Sequence, residues 1–295
     1  MARKTLEEKM KTPAQNQFRA DLRFRRQFDR ELEREIDRFR LETPKVFKNA
    51  SRDQKPRTIL AEGDSWCRYL VGFAVPWHLE KLDKRNRVMN VGSPGDTASE
   101  MLTGKKARRL KRDIRRGPGR NRKFDVIYFS GGGNDLLGDG RFSTFLNDYE
   151  QGMTASQVIN ARMLNKALDM IEGYYENLIG LRDEHSPQSK IYINAYDFAQ
   201  ASNKGVCGKG PWLWPHLDDA GVPDTLHEAV VAEFLRRFKR KLVRMANRLG
   251  NNDIVVIGTQ GTLDPADWDN EIHPSKGGFR KIAEVFQAQL ALDFP

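Results

Sequence analysis

The stretch "RTILAEGDSW", residues 57–66, joins an apolar run to a Gly-Asp-Ser turn. The four residues after the charged arginine, Thr-Ile-Leu-Ala, are mostly apolar and include two β-branched side chains, which is typical of a buried β-strand. Gly63 and Asp64 are residues that favour the tight turn at the end of such a strand. A strand that ends in this way would lift the hydroxyl of Ser65 into a cleft, whereas a plain loop would leave it on the surface.

Short apolar runs alternate with longer amphipathic stretches from residue 57 onward. The runs end in turn residues, as strands do; they are "RTILAEG" (57–63), "RVMNVG" (87–92), "FDVIYFSGG" (124–132), "KIYINAY" (190–196) and "DIVVIG" (253–258). The clearest helical stretches between and after them are 164–184, 225–250 and 277–292. This alternation predicts an α/β protein, a three-layer α/β/α sandwich with a mostly parallel five-stranded sheet.

Polar or small residues follow the predicted strands at positions that meet at one rim of such a sheet. Ser65 follows the first strand, Gly92 the second and Asn134 the third, and His273 precedes the last helix. A serine hydroxyl needs a base within hydrogen-bond reach to act as a nucleophile, and histidine suits that task. Backbone N–H groups and a side-chain amide could then stabilise the negative charge on a carbonyl oxygen.

These four residues and their surroundings resemble a known family. "GDS" around Ser65, "NVGSPGDTA" around Gly92, "GGGND" around Asn134 and "EIHPS" around His273 match, in order, the four motif blocks of the SGNH (GDSL-type) hydrolase superfamily, and the chain looks like a bacterial esterase of that kind. The resemblance extends over residues 58–292. It implies a flavodoxin-like fold and hydrolysis of carboxylic esters through an acyl-enzyme, without a metal or an organic cofactor.

The resemblance also implies a role for each motif residue. Ser65 would be the nucleophile and His273 the general base and acid, so activity would rise with pH through an ordinary imidazole pKa. The oxyanion hole would consist of the N–H of Ser65, the N–H of Gly92 and the side chain of Asn134. The substrate would be a small-molecule or lipid ester, and its acyl and alcohol parts stay open, as does transfer to an alcohol instead of water.

One position departs from the family pattern. The family places an aspartate three residues before the catalytic histidine, and here that residue is Asn270, with Asp269 one position earlier. Asn270 could orient the imidazole through its carbonyl oxygen. Asp269 could do so from a tighter loop, and a backbone carbonyl could replace both.

The positive charge of the chain is concentrated in two segments. The formal net charge is +10, and residues 1–55 form a predicted basic extension, with an amphipathic helix over 14–42 that ends at Thr43-Pro44. The hydrolase domain would follow over 56–295. The helix could dock on the body, pair with a second copy in a homodimer or lie on an anionic surface.

The second basic segment, residues 105–123, contains eleven Lys or Arg and one Asp. It is interpreted either as a solvated, partly disordered connection or as a collar for anionic substrates or membranes. Nucleic acid is disfavoured because no aromatic stacking pattern accompanies the charge. A non-catalytic scaffold that binds an anionic partner through these basic segments is the alternative function.

Three further observations bear on the setting of the protein. Two cysteines without CxxC spacing indicate neither a zinc site nor a disulfide framework. The N-terminal residues lack the apolar region of a signal peptide and no run is long enough to cross a bilayer, so a cytoplasmic location is expected. The tryptophan-rich segment 205–221 is predicted to line the cleft, or else to form a surface loop.

Overall fold

The computed structural model describes residues 13–51, 55–69, 73–119, 121–206, 210–249 and 253–295, without the side chains of 13–27 and Asp139. Its centre is a sheet of five parallel strands, in the order β2-β1-β3-β4-β5. The strands are β1 Arg57–Gly63, β2 Asn86–Asn90, β3 Val126–Ser130, β4 Lys190–Asn194 and β5 Ile254–Ile257. This is the flavodoxin-like order. The predicted α/β fold is confirmed, and the sheet is entirely parallel.

Helices cover both faces of the sheet, as the crossovers of parallel strands require. The described helices are α1 Pro13–Asn49, α2 Val75–Leu82, α3 Ala98–Leu102, α4 Gly104–Arg116, α5 Gly133–Leu137, α6 Ala155–Val158, α7 Ala161–His185, α8 Trp214–Asp219, α9 Asp224–Arg248 and α10 Lys276–Asp293. Short 3-10 turns occupy Gly138–Phe145 and Pro265–Asp267. Helices α2 and α10 pack together on one face, whereas α3, α4, α7 and α9 form the other layer.

The chain reverses its winding direction between β1 and β3, and ligands of this fold bind there. Every residue of both strands is buried, so the two strands form the rigid centre of the sheet. The turn after β1 carries Ser65, and the turn after β3 leads into α5 with Asn134. Both turns therefore open at the same rim.

Helix α1 is longer than the sequence predicts, because it continues through Pro44 to Asn49. Proline removes one helical hydrogen bond and crowds the preceding turn, which is why an end at Thr43-Pro44 is expected. Contacts with the body of the protein compensate for the cost of this proline. The Pro44 ring lies so close to Gly119 that a Cβ there would be 3.3 Å from it, and the Arg122 guanidinium lies 4.0 Å from the ring centroid of Phe47.

The described part of α1 packs on the body of the protein. Leu32 and Ile36 are buried in the core. Arg40 forms an ion pair with Asp113 of α4 at 2.6 Å. The expected docking on the body is therefore the arrangement found for this half of the helix. Among the described residues, no helix has the length and apolar composition needed to cross a membrane.

The basic run forms helix α4 over Gly104–Arg116, so the interpretation as a partly disordered connection is wrong for these residues. Leu110 and Ile114 are buried on one side of the helix. The opposite side exposes five basic residues, Lys105, Arg108, Arg112, Arg115 and Arg116. Two apolar residues one turn apart thus suffice to dock a highly charged helix.

Candidate active site

The turn after β1 is held in close contact with the end of β3. A Cβ on Gly63 would lie 2.6 Å from the carbonyl oxygen of Ser130, so only glycine fits there. The N–H of Asp64 donates to that same carbonyl at 3.0 Å. Two strands thereby fix the backbone from which Ser65 projects.

The Asp64 carboxylate is a structural anchor of this turn. It is buried and accepts hydrogen bonds from the Trp66 N–H at 2.9 Å, the Ser130 hydroxyl at 3.0 Å and the Tyr196 hydroxyl at 2.6 Å. Burial raises the pKa of Asp64 to about 6, although these three donors favour the charged form. Asp64 thus ties the first, third and fourth strands together beneath Ser65.

His273 lies directly against Ser65. Its Nε2 is 2.8 Å from the Ser65 Oγ, and its Nδ1 is 2.9 Å from the Asn270 Oδ1. The Asn270 oxygen also accepts the N–H groups of Ile272 and His273, at 3.2 and 3.1 Å. Because that oxygen can only accept, Nδ1 carries the hydrogen and the Nε2 lone pair faces the serine hydroxyl.

The surroundings of His273 disfavour its protonated form. The residue is buried, and its ring contacts the rings of Tyr69 and Trp212, whose centroids lie 4.7 and 5.7 Å from its own. Burial lowers the pKa of His273 to about 4, and the negative charge of Asp269 opposes this shift. The imidazole is therefore neutral at physiological pH.

Asn270, and not Asp269, contacts the imidazole. The Asn270 Nδ2 donates to the Tyr69 hydroxyl at 3.2 Å, and that hydroxyl donates to the Asp269 carboxylate at 3.1 Å. Asp269 thus acts on the ring only from a distance, through Tyr69. Of the alternatives that the sequence leaves open, the amide oxygen is the one within hydrogen-bond distance of Nδ1.

The loop that carries His273 is fastened on two sides. The Trp66 indole N–H donates to the Ile272 carbonyl at 3.0 Å, which links this loop to the serine turn. The Asp269 N–H donates to the His273 carbonyl at 2.9 Å, and Ser275 caps the first turn of α10. These contacts therefore fix the loop, and the loop and Asn270 together fix the position of the imidazole.

Asn134 reaches the rim from the first turn of α5. The preceding turn requires glycine, because Gly132 has φ of 102° and a Cβ there would lie 3.0 Å from the Phe238 ring. The Asn134 Nδ2 donates one hydrogen to the Asp96 carbonyl at 2.9 Å. Within the described residues its second hydrogen has no protein acceptor, and both Asn134 and Ser65 line the same cavity.

The expectation that Gly92 offers a free N–H does not match this geometry. The residue is buried, and its N–H donates to the Asn90 Oδ1 at 3.0 Å. A Cβ on Gly92 would lie 2.7 Å from the Cys67 Sγ and 2.7 Å from the Gly63 carbonyl. Glycine is required here for close packing against the serine turn, and its donor is already used.

Gly95 is a candidate that the sequence analysis missed. It is exposed, has φ of 82° and precedes Asp96, whose carbonyl contacts Asn134. Within the described residues, the N–H groups of Ser65 and Gly95 donate to no protein acceptor. The Pro-Gly pair in "SPGD" is a turn signal that could have indicated a backbone donor at this position.

A narrow apolar cavity opens beside Ser65. Its volume is about 50 Å³, and its apolar walls include Leu136, Leu137, Leu213, Val231, Phe234 and Leu235. Part of the 205–221 segment thus lines the cleft through Leu213, while residues 207–209 lie outside the described chain. Across the described ranges, no cluster of three or more His, Cys, Asp or Glu side chains could hold a metal ion.

The fold and the contacts define a flavodoxin-like α/β/α protein with a hydrogen-bonded Ser–His–Asn chain at the switch point. No family model matches the chain, and no curated protein is significantly similar to it in sequence. Several solved structures are similar in fold, and many of them are GDSL-type lipases or other esterases. The motifs of the chain resemble the same class.

Three of these structures illustrate the degree of similarity. A lipase from a goat rumen metagenome is 17% identical, with 79% of this chain and 96% of that chain covered and a TM-score of 0.48. An extracellular lipase from Streptomyces rimosus is 15% identical, with 79% and 99% covered and a TM-score of 0.49. A lipolytic G-D-S-L protein from Veillonella parvula is 18% identical, with 80% and 98% covered and a TM-score of 0.41. At this level of similarity, the fold and the site are defined by the strand order and contacts of this chain itself.

Proposed function

We propose that the protein is a serine esterase of the SGNH type that hydrolyses carboxylic esters through an acyl-enzyme. The observation that carries this proposal is the chain of hydrogen bonds from the Ser65 Oγ through His273 to the Asn270 Oδ1. The neutral imidazole has its free lone pair on the serine hydroxyl, which is the arrangement that activates a weak nucleophile.

In the proposed reaction, the Ser65 Oγ attacks the ester carbonyl while the His273 Nε2 takes its proton. The tetrahedral intermediate collapses when His273 returns the proton to the leaving alkoxide, and an acyl-serine remains. Water then attacks this acyl group and gives its proton to His273; His273 passes that proton to the Ser65 Oγ as the bond from Oγ to the acyl carbon breaks, and the carboxylic acid leaves. Asn270 holds the imidazole in the reactive tautomer throughout.

The negative charge of the intermediate would be stabilised at the end of β1. The Ser65 N–H and the second hydrogen of the Asn134 amide are the two predicted donors that stay unpaired, and we propose the Gly95 N–H as the third donor instead of Gly92. Support comes from the exposure of Gly95, its positive φ and its position one residue before the partner of Asn134.

The apolar cavity favours esters with a short acyl chain. On the same volume measure one water molecule needs about 10–15 Å³, so a cavity of about 50 Å³ holds only a few heavy atoms. The lining has no lysine, arginine or histidine to pair with a carboxylate of the acyl group, and its two carboxylates, Asp64 and Asp197, already accept hydrogen bonds from the protein. We therefore expect acetyl to butyryl esters to react faster than long-chain esters.

The experiment that tests the proposal compares the wild type with Ser65→Ala on p-nitrophenyl esters of increasing acyl length. The wild type should prefer the short esters, and the variant should lose hydrolysis to the background level, because it lacks the hydroxyl that lies 2.8 Å from the His273 Nε2. Ser143→Ala, which removes a hydroxyl at an exposed position, is the control and should keep activity. Retention of activity in Ser65→Ala would contradict the proposal.

We further propose that the predicted anionic contact involves the exposed basic face of α4. The five exposed basic residues of this face form no ion pair among the described residues, in contrast to Lys106, which pairs with Asp96. Each Lys or Arg near an anionic lipid surface contributes about 1 kcal/mol to binding. Such a contact would hold the enzyme at an anionic membrane surface.

Vesicles that contain phosphatidylserine test this contact by co-sedimentation. Arg108→Glu combined with Arg112→Glu should weaken binding by at least about tenfold, because two attractive charges become repulsive. The same double change at Arg162 and Lys166, an exposed pair with equal spacing on α7, is the matched control. Equal binding of the two double variants would contradict the proposal.

Three further expectations stay predictions. A homodimer through helix 14–42 would have to use residues other than Leu32 and Ile36, since these are buried in the same chain. The division into an extension over 1–55 and a domain over 56–295 and the cytoplasmic location rest on sequence alone. The non-catalytic scaffold is not favoured, because such a protein has no need for a serine and a histidine at 2.8 Å.

A further inference from the structure

Glu271 is a fully buried carboxylate next to Asn270 in the loop that carries His273. It accepts four backbone N–H groups from a segment far away in sequence: Asn203 at 3.2 Å, Leu213 at 2.8 Å, Trp214 at 2.9 Å and the short contact from Trp212. Across the described chain, no lysine or arginine forms an ion pair with it. Four N–H dipoles therefore compensate its charge.

The backbone of Glu271 fastens the same segment from the other side. Its N–H donates to the Lys204 carbonyl at 3.3 Å, and its carbonyl accepts the Gln200 N–H at 2.9 Å. One residue thus binds both ends of the segment 200–214, which contains the undescribed residues 207–209. Glu271 thus makes six hydrogen bonds, four through its carboxylate and two through its backbone, which offset the cost of burying its charge and fix the position of the segment.

Two side chains of the fixed segment reach the reaction centre. The Trp212 ring lies edge-on to the His273 ring, at 5.7 Å between centroids and 84° between planes, and the Tyr69 ring contacts the same imidazole at 4.7 Å. Leu213, the next residue, forms part of the wall of the apolar cavity beside Ser65. The segment therefore both covers the His273 ring and forms part of the wall of the acyl pocket.

We propose that Glu271 is a positioning residue for the esterase reaction: its carboxylate fixes the backbone of residues 212–214 and thereby holds Trp212 against His273 and Leu213 in the wall of the acyl pocket. This inference rests on the proposed function. Trp212 excludes water from one side of the imidazole, so the base stays neutral and its Nε2 stays free for the serine proton. Of the charged groups around the ring, Asp269 acts through Tyr69, and Glu271 is directed away from the ring toward the segment.

The test measures the titration of the His273 ring by NMR. All variants are made in the Ser65→Ala background, so that no turnover is needed. His273→Asn identifies which NMR signal belongs to His273. Glu271→Gln replaces two acceptor sites by an N–H₂ group that faces backbone donors, and Trp212→Ala removes the cover directly. Both changes should raise the His273 midpoint by about one pH unit or more, because water regains access to the imidazolium. Glu228→Gln, at an exposed site on α9, should leave the midpoint unchanged.

The effects of Glu271→Gln and Trp212→Ala on the His273 midpoint should also be non-additive. If Glu271 acts through Trp212, the double variant should titrate like Trp212→Ala alone. In the protein with Ser65 intact, Glu271→Gln should lower kcat/KM by about 10–100-fold, mainly through kcat. The pH at which kcat/KM falls on the acidic side should also rise. Glu271→Asp, which keeps the charge, should recover part of the loss and replaces Glu271→Gln if that variant does not fold.

An unchanged His273 midpoint in folded Glu271→Gln or Glu271→Asp would overturn the inference, as would full additivity with Trp212→Ala. The outcome is separable from the proposed function. If the wild type hydrolyses no ester, the proposed esterase activity is wrong. The NMR titration still measures whether Glu271 and Trp212 affect the midpoint of His273.

Discussion

Asn270 and Asp269 are neighbours in the sequence, but only Asn270 contacts the His273 ring. The amide is oriented by four partners: two backbone N–H groups, the imidazole Nδ1–H and the Tyr69 hydroxyl. An amide in this orientation selects the same tautomer as an aspartate would, without adding a charge. The departure from the family pattern at this position is thus compatible with a working base.

Asn270→Ala should lower kcat for short esters by up to about 10⁴-fold, because the imidazole loses the group that selects its reactive tautomer. Asp269→Asn should cost less than about tenfold, because its carboxylate touches Tyr69 and not the ring. Steady-state kinetics of both variants separate the two residues. A larger loss in Asp269→Asn than in Asn270→Ala would show that the carboxylate is the true partner.

The buried imidazole changes the expected pH dependence. An ordinary imidazole would make activity rise between pH 5 and 8, but burial lowers the pKa of His273 to about 4. The base is then neutral across that range, so kcat/KM should be level from pH 5 to 8 and fall as the pH approaches 4. A rise centred near pH 6.5 would contradict a buried, neutral His273.

The two glycines of "NVGSPGDTA" show what sequence can and cannot predict at this scale. The four motif blocks correctly indicate that Ser65, Asn134 and His273 meet at one rim, because strand ends in a parallel sheet converge there. Which glycine has a free N–H depends on the Asn90 side chain, which takes the donor of Gly92. That contact is a tertiary one, and no periodicity reveals it.

At the scale of elements, the strands are predicted well and their order is not. Apolar β-branched runs bounded by turns indicate all five strands, since parallel strands are buried on both faces. The pairing of β1 with β3 joins residues almost 70 positions apart, 59 with 126, and local patterns carry no information on it. The family resemblance implies a flavodoxin-like fold, and the strand order itself is given by the pairing of the strands in the structure.

Helices α1 and α4 differ from their predictions for a shared reason. Local rules predict an end at Pro44 and a solvated run at 105–123, yet contacts between distant residues override both. Pro44 packs over Gly119, and Asp113 in the middle of α4 pairs with Arg40 of α1. The two basic elements thus stabilise each other against the body.

The docking of α1 makes a prediction with an internal control. Ile36→Ala should lower the free energy of unfolding by about 2–5 kcal/mol, because Ile36 is only 2% exposed and its removal leaves a cavity. Leu41→Ala, on the same helix at 68% exposure, should change it by less than about 0.5 kcal/mol. Urea denaturation measures both. Equal small effects would mean that α1 is not part of the folded body.

For the molecule as a whole, buried ionisable groups beneath the site couple stability to pH. Glu62 of β1 is buried, and its pKa rises to about 8, through burial first and the nearby charge of Asp96 second. Its folded-state pKa lies above the unfolded value, so its stabilising contribution is present below about pH 4.5 and is lost as pH rises to 8. His273 has the opposite sign: its contribution is present above pH 6.5 and is lost as pH falls to 4.

Glu62→Gln should therefore be more stable than the wild type at pH 8 and similar to it at pH 5. The amide keeps an acceptor for the Gly63 N–H and removes the group that must ionise in the core. Thermal unfolding at both pH values measures the difference, and Glu228→Gln is the surface control. A variant that is less stable than the wild type at pH 8 would show that Glu62 is charged and usefully paired in the folded state.

The most direct test of the account is covalent labelling with a fluorophosphonate probe followed by peptide mapping. A hydroxyl activated by the neighbouring imidazole should attack the phosphorus, so the label should be found on Ser65 in the wild type. It should disappear in His273→Ala, which keeps the serine but removes its base. Absence of label from the folded wild type, or equal labelling of His273→Ala, would contradict a nucleophilic Ser65.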